Sequence, residues 1–155
     1  MSEAQTELEG VNVGPVTDWL AERIADLRTP LSFELIAGGH SNLTYRVTDA
    51  AGKIYVLRRP PLGHVLQSAH DMGREHKIIS ALQGASVPVA PVVGLCSEET
   101  VNGAPFYVMA YVTGPVLHDA EATHPISMDD RAKLGLDVID VLAALHQIDP
   151  DAVGL

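Results

Sequence analysis

The sequence is short of positive charge: ten Lys and Arg stand against twenty Asp and Glu, for a formal net charge of -10. That excess of acid disfavours a nonspecific electrostatic grip on nucleic acid or on an anionic membrane, and neither is expected as a partner. Cysteine is nearly absent. Cys96 alone cannot form a disulfide within the chain, and its apolar surroundings predict inert core in a reducing, cytoplasmic setting. Long apolar runs are missing too, since the most apolar stretch, 87–96, is interrupted by Pro88, Pro91 and Gly94 and is about half of what a bilayer crossing needs. Residues 1–14 carry acid but no Lys or Arg, and so lack the basic flank of a signal or transit peptide. There is no internal repeat, no G-x-x-x-x-G-K-[ST] phosphate loop and no H-E-x-x-H zinc motif. Gly39-His40-Ser41-Asn42-Leu43 lacks the closing glycine of a nucleophile elbow, and His70 and His76, six apart, fall on different sides of a helix.

What is present suits one α+β core: 155 residues, 46% of them hydrophobic. Val16, Leu20, Ile24 and Leu27 recur at helical spacing after Pro15, which can occupy a first helical position. Alternating or β-rich segments at 32–37, 43–48 and 53–59 predict three successive strands, joined by loops short enough for antiparallel hairpins. Pro60-Pro61 ends the third. Ser68-Ala69-His70-Asp71 matches a helix start signal, and a helix is predicted from about Ser68 to Leu82. Strands at 92–96 and 105–112 follow, joined through the hairpin dipeptide Asn102-Gly103. Ser127-Met128-Asp129-Asp130 repeats the capping signal before a long helix striped by Leu134, Val138, Val141, Leu142 and Leu145 and ended by Asp149-Pro150. A meander with one inserted helix argues against a parallel doubly wound sheet.

Three places can carry chemistry. In Gly38-Gly39-His40-Ser41-Asn42, two glycines let backbone N–H groups approach phosphate oxygens and Ser41 adds a hydroxyl, although the same residues also make an ordinary hairpin turn. Glu75 shares a helix face with Met72, Ile78, Ile79 and Leu82. A carboxylate in an apolar stripe needs a cation, for which Arg58 on the neighbouring strand is the choice, unless Glu75 reaches water at the stripe's edge. The strand from Phe106 through Met109, Ala110, Tyr111 and Val112 to Gly114 can offer backbone groups to a planar heterocycle, or be core alone. The acidic residues Asp119, Glu121, Asp129 and Asp130 could attract a cationic substrate or form a solvated surface.

The order of these features is that of a kinase small lobe: Gly-rich hairpin, basic residue late in the third strand, helix with an inward Glu, hinge strand, long helix. The segments Gly38-Gly39-His40-Ser41-Asn42-Leu43-Thr44-Tyr45, Tyr55-Val56-Leu57-Arg58-Arg59-Pro60-Pro61, Ser68-Ala69-His70-Asp71-Met72, Ala104-Pro105-Phe106-Tyr107-Val108-Met109 and Leu145-His146-Gln147-Ile148-Asp149 resemble the aminoglycoside phosphotransferase family. They are most like the branch that in animals is fused to acyl-CoA dehydrogenases. The resemblance runs from about residue 13 to the last residue and implies a five-stranded kinase-like small lobe. It divides the chain into an acidic tail 1–14, a lobe 15–112, a hinge and linker 113–126, and the first large-lobe helix 127–155.

The implied activity is transfer of the ATP γ-phosphate to a hydroxyl of a small molecule. Gly38, Gly39, His40, Ser41 and Asn42 would hold the phosphates, and Arg58 would stand where the wider superfamily has Lys. Glu75 would orient Arg58, and Met109, Ala110, Tyr111 and Val112 would receive adenine. An Arg keeps the charge but differs in reach and hydrogen bonding, so its pairing with Glu75 is the firmer expectation. The family's His-Gly-Asp catalytic loop, its following Asn and its metal-binding Asp have no counterpart in these 155 residues. The chain by itself is therefore expected to be inactive, with no catalytic residue of its own and with the ligands for Mg²⁺ lying outside it. A separate large-lobe polypeptide or self-association through the terminal helix is the expected way of covering that helix. The competing reading is a non-catalytic nucleotide-binding or interaction module, and a third is an α+β domain for another small ligand.

Overall fold

The computed structural model describes residues 8–37, 42–63 and 70–155. Its elements are α1 (Val13–Ala21), β1 (Ser32–Ala37), β2 (Leu43–Thr48), β3 (Ile54–Arg59), α2 (Met72–Ala81), β4 (Val92–Cys96), α3 (Glu99–Asn102), β5 (Phe106–Ala110), α4 (Ala120–Thr123), α5 (Met128–His146) and a 3-10 turn, Asp151–Val153. The strands form one antiparallel sheet in the order β1-β2-β3-β5-β4, so the five-stranded α+β sheet expected from the sequence is the fold, but β5 and not β4 lies beside β3, which departs from the expected simple meander. The chain divides into two compact units, Met1–Lys77 with Ala90–Tyr111 and Ile78–Val89 with Val112–Leu155. The first holds the sheet. The second holds α4 and α5.

Strand alternation sorts side chains onto two faces. Tyr45, Val47, Tyr55, Leu57, Phe106, Val108 and Cys96 are buried together with Val11, Val16, Trp19 and Leu20. Trp19 meets Phe106 edge to face, with ring centroids 5.0 Å apart. Complete burial of Val16 and Leu20 contributes about 2 kcal/mol each, enough to hold a nine-residue helix that would not persist alone. Cys96 is the buried free thiol that its apolar context predicts. The β2–β3 turn is fixed by Asp49, whose Oδ1 accepts the N–H groups of Ala51 (2.9 Å) and Lys53 (2.8 Å).

Several local expectations change. Helix α1 ends at Ala21, yet Ile24 and Leu27 still pack on the core from the turns that follow, because apolar spacing specifies a face and not helical continuity. Pro15 occupies its third position, where the first-turn N–H would have no helical partner anyway. Asn102-Gly103 does not make a two-residue hairpin. Asn102 ends α3, and Gly103 (φ 69°) caps it in the left-handed conformation, its N–H donating to the Glu99 carbonyl at 2.6 Å. Ser68 lies outside the described residues, and α2 begins at Met72 with the Asp71 carboxylate accepting the Arg74 N–H at 2.9 Å. Strand β5 stops at Ala110, two residues early.

The start of α5 follows the sequence: Ser127 Oγ accepts the Asp130 N–H at 3.1 Å and donates to the Asp130 carboxylate at 2.7 Å. Asp119 caps α4 in the same way, accepting the Ala122 N–H at 2.7 Å. Two acids of the 119–130 run are thus engaged in helix caps. Among the described residues no helix is long and apolar enough to cross a membrane.

Candidate functional site

The site is built on the sheet face away from α1. Register places Thr44 of β2 opposite Arg58 of β3, and Arg58 opposite Tyr107 of β5. Beside this row, Arg46, Val56 and Met109 form the next. Glu75, in the first turn of α2, meets the first row. Arg58 Nε is 3.4 Å from Glu75 Oε2, and the two side chains are 30% and 31% exposed. The pair expected from the sequence is therefore present. It is an ion pair without hydrogen-bond alignment, since Arg58 Nε is buried and has no hydrogen-bond partner.

Two neutral donors complete the surroundings of Glu75. Asn42 Nδ2 donates to Oε1 at 2.6 Å and the Tyr107 hydroxyl donates to Oε2 at 3.1 Å. Asn42 Oδ1 in turn lies 2.7 Å from His70 Nδ1. The His76 ring stands against Tyr107 in a T-shaped contact, with centroids 6.2 Å apart. Tyr107 is 1% exposed, and burial, with the Glu75 carboxylate beside it, pushes its hydroxyl up to about 12 against the opposing charge of Arg58. The hydroxyl therefore stays a donor throughout the physiological range.

The apolar stripe that motivated the pairing is only partly buried. Met72 is enclosed, whereas Ile78 is exposed, so Glu75 is held inward more by polar partners than by its helix neighbours. Sequence reasoning placed Asn42 in the phosphate turn and Tyr107 in a strand, and missed both as Glu75 partners. The signal was available for Tyr107, which shares its face with Met109 by strand alternation. Nothing in the spacing pointed to His70.

Gly38, Gly39, His40 and Ser41 lie outside the described residues. Of the expected adenine-facing group, Met109 pairs across from Val56 and Ala110 from Tyr55. The Ala110 N–H is already given to the Pro91 carbonyl at 2.7 Å, which removes it as a donor to a base. Arg46 lies over the Tyr111 ring at 5.3 Å. Val112 is exposed and begins a stretch of the second unit. Among the described residues no three His, Cys, Asp or Glu side chains gather as a metal site.

The site thus joins an arginine on β3 to an inward glutamate on α2, and a sequence model described as the phosphotransferase enzyme family matches residues 32–155. The chain belongs to that family. This phosphotransferase-family chain is similar to acyl-CoA dehydrogenase family member 11 of Gallus gallus, at 37% identity over 125 residues, covering 81% of this chain and 16% of that protein. It is similar to acyl-CoA dehydrogenase family member 10 of Mus musculus, at 36% identity over 117 residues, covering 76% of this chain and 11% of the relative. Its structure resembles that of a candidate aminoglycoside phosphotransferase crystallised from Ralstonia eutropha JMP134, with a TM-score of 0.73 and 33% identity over 91% of this chain and 40% of that one. The phosphotransferase-family chain thus spans 16% or less of these two curated relatives and less than half of the solved structure.

Proposed function

We propose that this chain is the nucleotide-holding part of a small-molecule phosphotransferase, one that moves the ATP γ-phosphate to a substrate hydroxyl when the rest of the fold is supplied. The observation that carries the reading is the Arg58–Glu75 pair. The Glu75 contact is made at Nε of Arg58, and the two end nitrogens would meet phosphate oxygens bidentately. Asn42 is tied to the same carboxylate, so the residue ahead of β2, the arginine of β3 and the helix α2 meet at Glu75. Adenine would lie beside Met109 and Tyr111, with backbone groups beyond Ala110 as its hydrogen-bond partners.

Transfer itself would require a base and metal ligands of the kind that the family's His-Gly-Asp loop supplies, and no His-Gly-Asp triplet occurs in these 155 residues. Mg²⁺ would neutralise the developing charge on the phosphates, held by residues outside this chain. On α5, Leu134, Val138, Val141, Leu142 and Leu145 are all exposed, as are Leu136 and Ile139. An apolar surface of that extent suits cover by further helices of a large lobe, or by another copy.

Titration of the purified chain with ATP and Mg²⁺ tests the reading. Weak binding is expected, no tighter than about 0.1 mM or roughly 5.5 kcal/mol, and it should be lost in Arg58→Ala. The chain alone should transfer no phosphate, and activity should appear only on adding a polypeptide that supplies the large lobe. Absence of heat at millimolar nucleotide would remove the binding claim. Turnover by the chain alone, abolished by Arg58→Ala, would remove the division of labour.

A further inference from the structure

We infer that Asn42 and Tyr107 are positioning residues that latch Glu75 against Arg58 from two sides, with His70 setting the orientation of Asn42. The inference rests on the nucleotide reading above and goes beyond it, because it assigns the placing of Arg58 to two neutral side chains instead of to the ion pair itself.

The geometry carries the argument. An ion pair whose members are each about a third exposed, and whose nitrogen and oxygen are 3.4 Å apart without hydrogen-bond alignment, fixes position poorly. The bonds from Asn42 and Tyr107 come from groups 8% and 1% exposed, and each is aimed at a different oxygen of the same carboxylate. Hydrogen bonds to a charged acceptor from rigid, buried donors are the stronger and more directional constraint. Glu75 is thus gripped on Oε1 from the start of β2 and on Oε2 from β5.

The amide orientation of Asn42 follows from its neighbours. With its oxygen toward Glu75, two acceptors would stand 2.6 Å apart, so Nδ2 must face the carboxylate and Oδ1 must face His70. His70 Nδ1 is then the donor of that bond. A chain of donors runs from His70, just ahead of α2, through Asn42 to Glu75 within α2. Asn42 directly precedes β2, so the same bonds tie the start of that strand to the helix. An outward swing of α2, which would uncouple Glu75 from Arg58, has to break the Asn42 and Tyr107 bonds together.

Two nearly isosteric changes test the latch. Asn42→Asp replaces the donor by an acceptor, and Tyr107→Phe removes only the hydroxyl. The readout is the Nε–H resonance of Arg58 in nitrogen-labelled protein, together with ATP·Mg²⁺ affinity. Both variants should shift that resonance, and affinity should fall about tenfold in Asn42→Asp and about threefold in Tyr107→Phe, the range expected for losing a hydrogen bond to a charged group. The swap Asn42→Asp with Glu75→Gln exchanges donor and acceptor, and should return thermal stability lost in the single Asn42→Asp variant. An Arg58 resonance unmoved in both variants overturns the latch whatever the binding result. A moved resonance with unchanged affinity overturns the positioning role. Wild-type protein that binds no nucleotide defeats the nucleotide reading alone, and a moved Arg58 resonance then still supports the latch.

Discussion

Arg58 and Arg59 are neighbours in sequence and act on opposite faces of the sheet: Arg58 reaches Glu75 on α2, whereas Arg59 Nη1 donates to the Gly10 carbonyl at 2.6 Å. Strand alternation makes this unavoidable. Arg59 is 7% exposed, also reaches the Asn102 and Pro60 carbonyls, and hydrogen-bonds to no carboxylate among the described residues. One arginine thus faces the Glu75 cluster, and the other fastens residues near the N-terminus to the core.

Replacing Arg59 by Ala should therefore destabilise the fold without touching the Glu75 cluster. The loss should be about 2 kcal/mol, read as a fall in Tm of about 4–8 °C for a chain of this size. Hydrogen exchange should quicken first at Gly10, Val11 and Asn12. Unchanged exchange there would count against the fastening role.

Glu75→Gln should separate stability from binding. Loss of the partly solvated Arg58 pair should itself cost less than about 1 kcal/mol of folding free energy, and the weakened bonds from Asn42 and Tyr107 should add about 1–2 kcal/mol. Nucleotide affinity should fall by about tenfold, because Arg58 loses the carboxylate that Asn42 and Tyr107 hold against it. Denaturant unfolding and calorimetric titration on one preparation distinguish the two effects.

Two glycines should respond differently to alanine. At Gly103 (φ 69°) a Cβ meets no atom within 4 Å, so the cost is that of a left-handed residue alone, about 1 kcal/mol. At Gly10 (φ 87°) a Cβ would stand 2.6 Å from the Tyr45 hydroxyl, whose bond to the Glu9 carbonyl helps dock the same segment. Gly10→Ala should therefore be the more damaging, by thermal unfolding. Equal losses would contradict this packing.

Alkaline stability should carry the mark of Tyr107. Its folded value is raised by burial from 10.0 to about 12, so the folded state holds the proton more tightly than the unfolded state. The stability this contributes is present below pH 10 and is lost as pH rises from there through about 12. Tyr107→Phe should flatten that part of the stability profile, and ultraviolet titration should lose one late-ionising phenol. A wild-type Tyr107 that ionises near 10 would overturn the assignment.

Hiding the apolar surface of α5 should decide whether copies meet there. If Val138 and Ile139, 67% and 61% exposed, form a self-association surface, replacing both by Lys should return the chain to monomer in sedimentation without altering the β-sheet signal. Unchanged association would leave some other surface responsible.

Much of this was determined by sequence alone. Alternation of Leu43, Tyr45 and Val47 with polar partners set which side chains of β2 enter the core, because period two assigns them to one face. Ser127 with Asp130 fixed the start of α5, because that cap is made within one turn. Even the Arg58–Glu75 pair was legible, since an acid on a half-apolar helix calls for a nearby base. The tertiary structure alone decided what depends on contacts far apart in the chain. Asn42 and Glu75 are 33 residues apart, and Arg59 and Gly10 are 49. No local pattern encodes such meetings, because a hydrogen bond is directional to within tenths of an ångström while hydrophobic periodicity specifies only a face. Asn102-Gly103 shows the same limit from the other side: the dipeptide allows a left-handed glycine, and the packing of α3 decided that it would cap a helix instead of closing a hairpin.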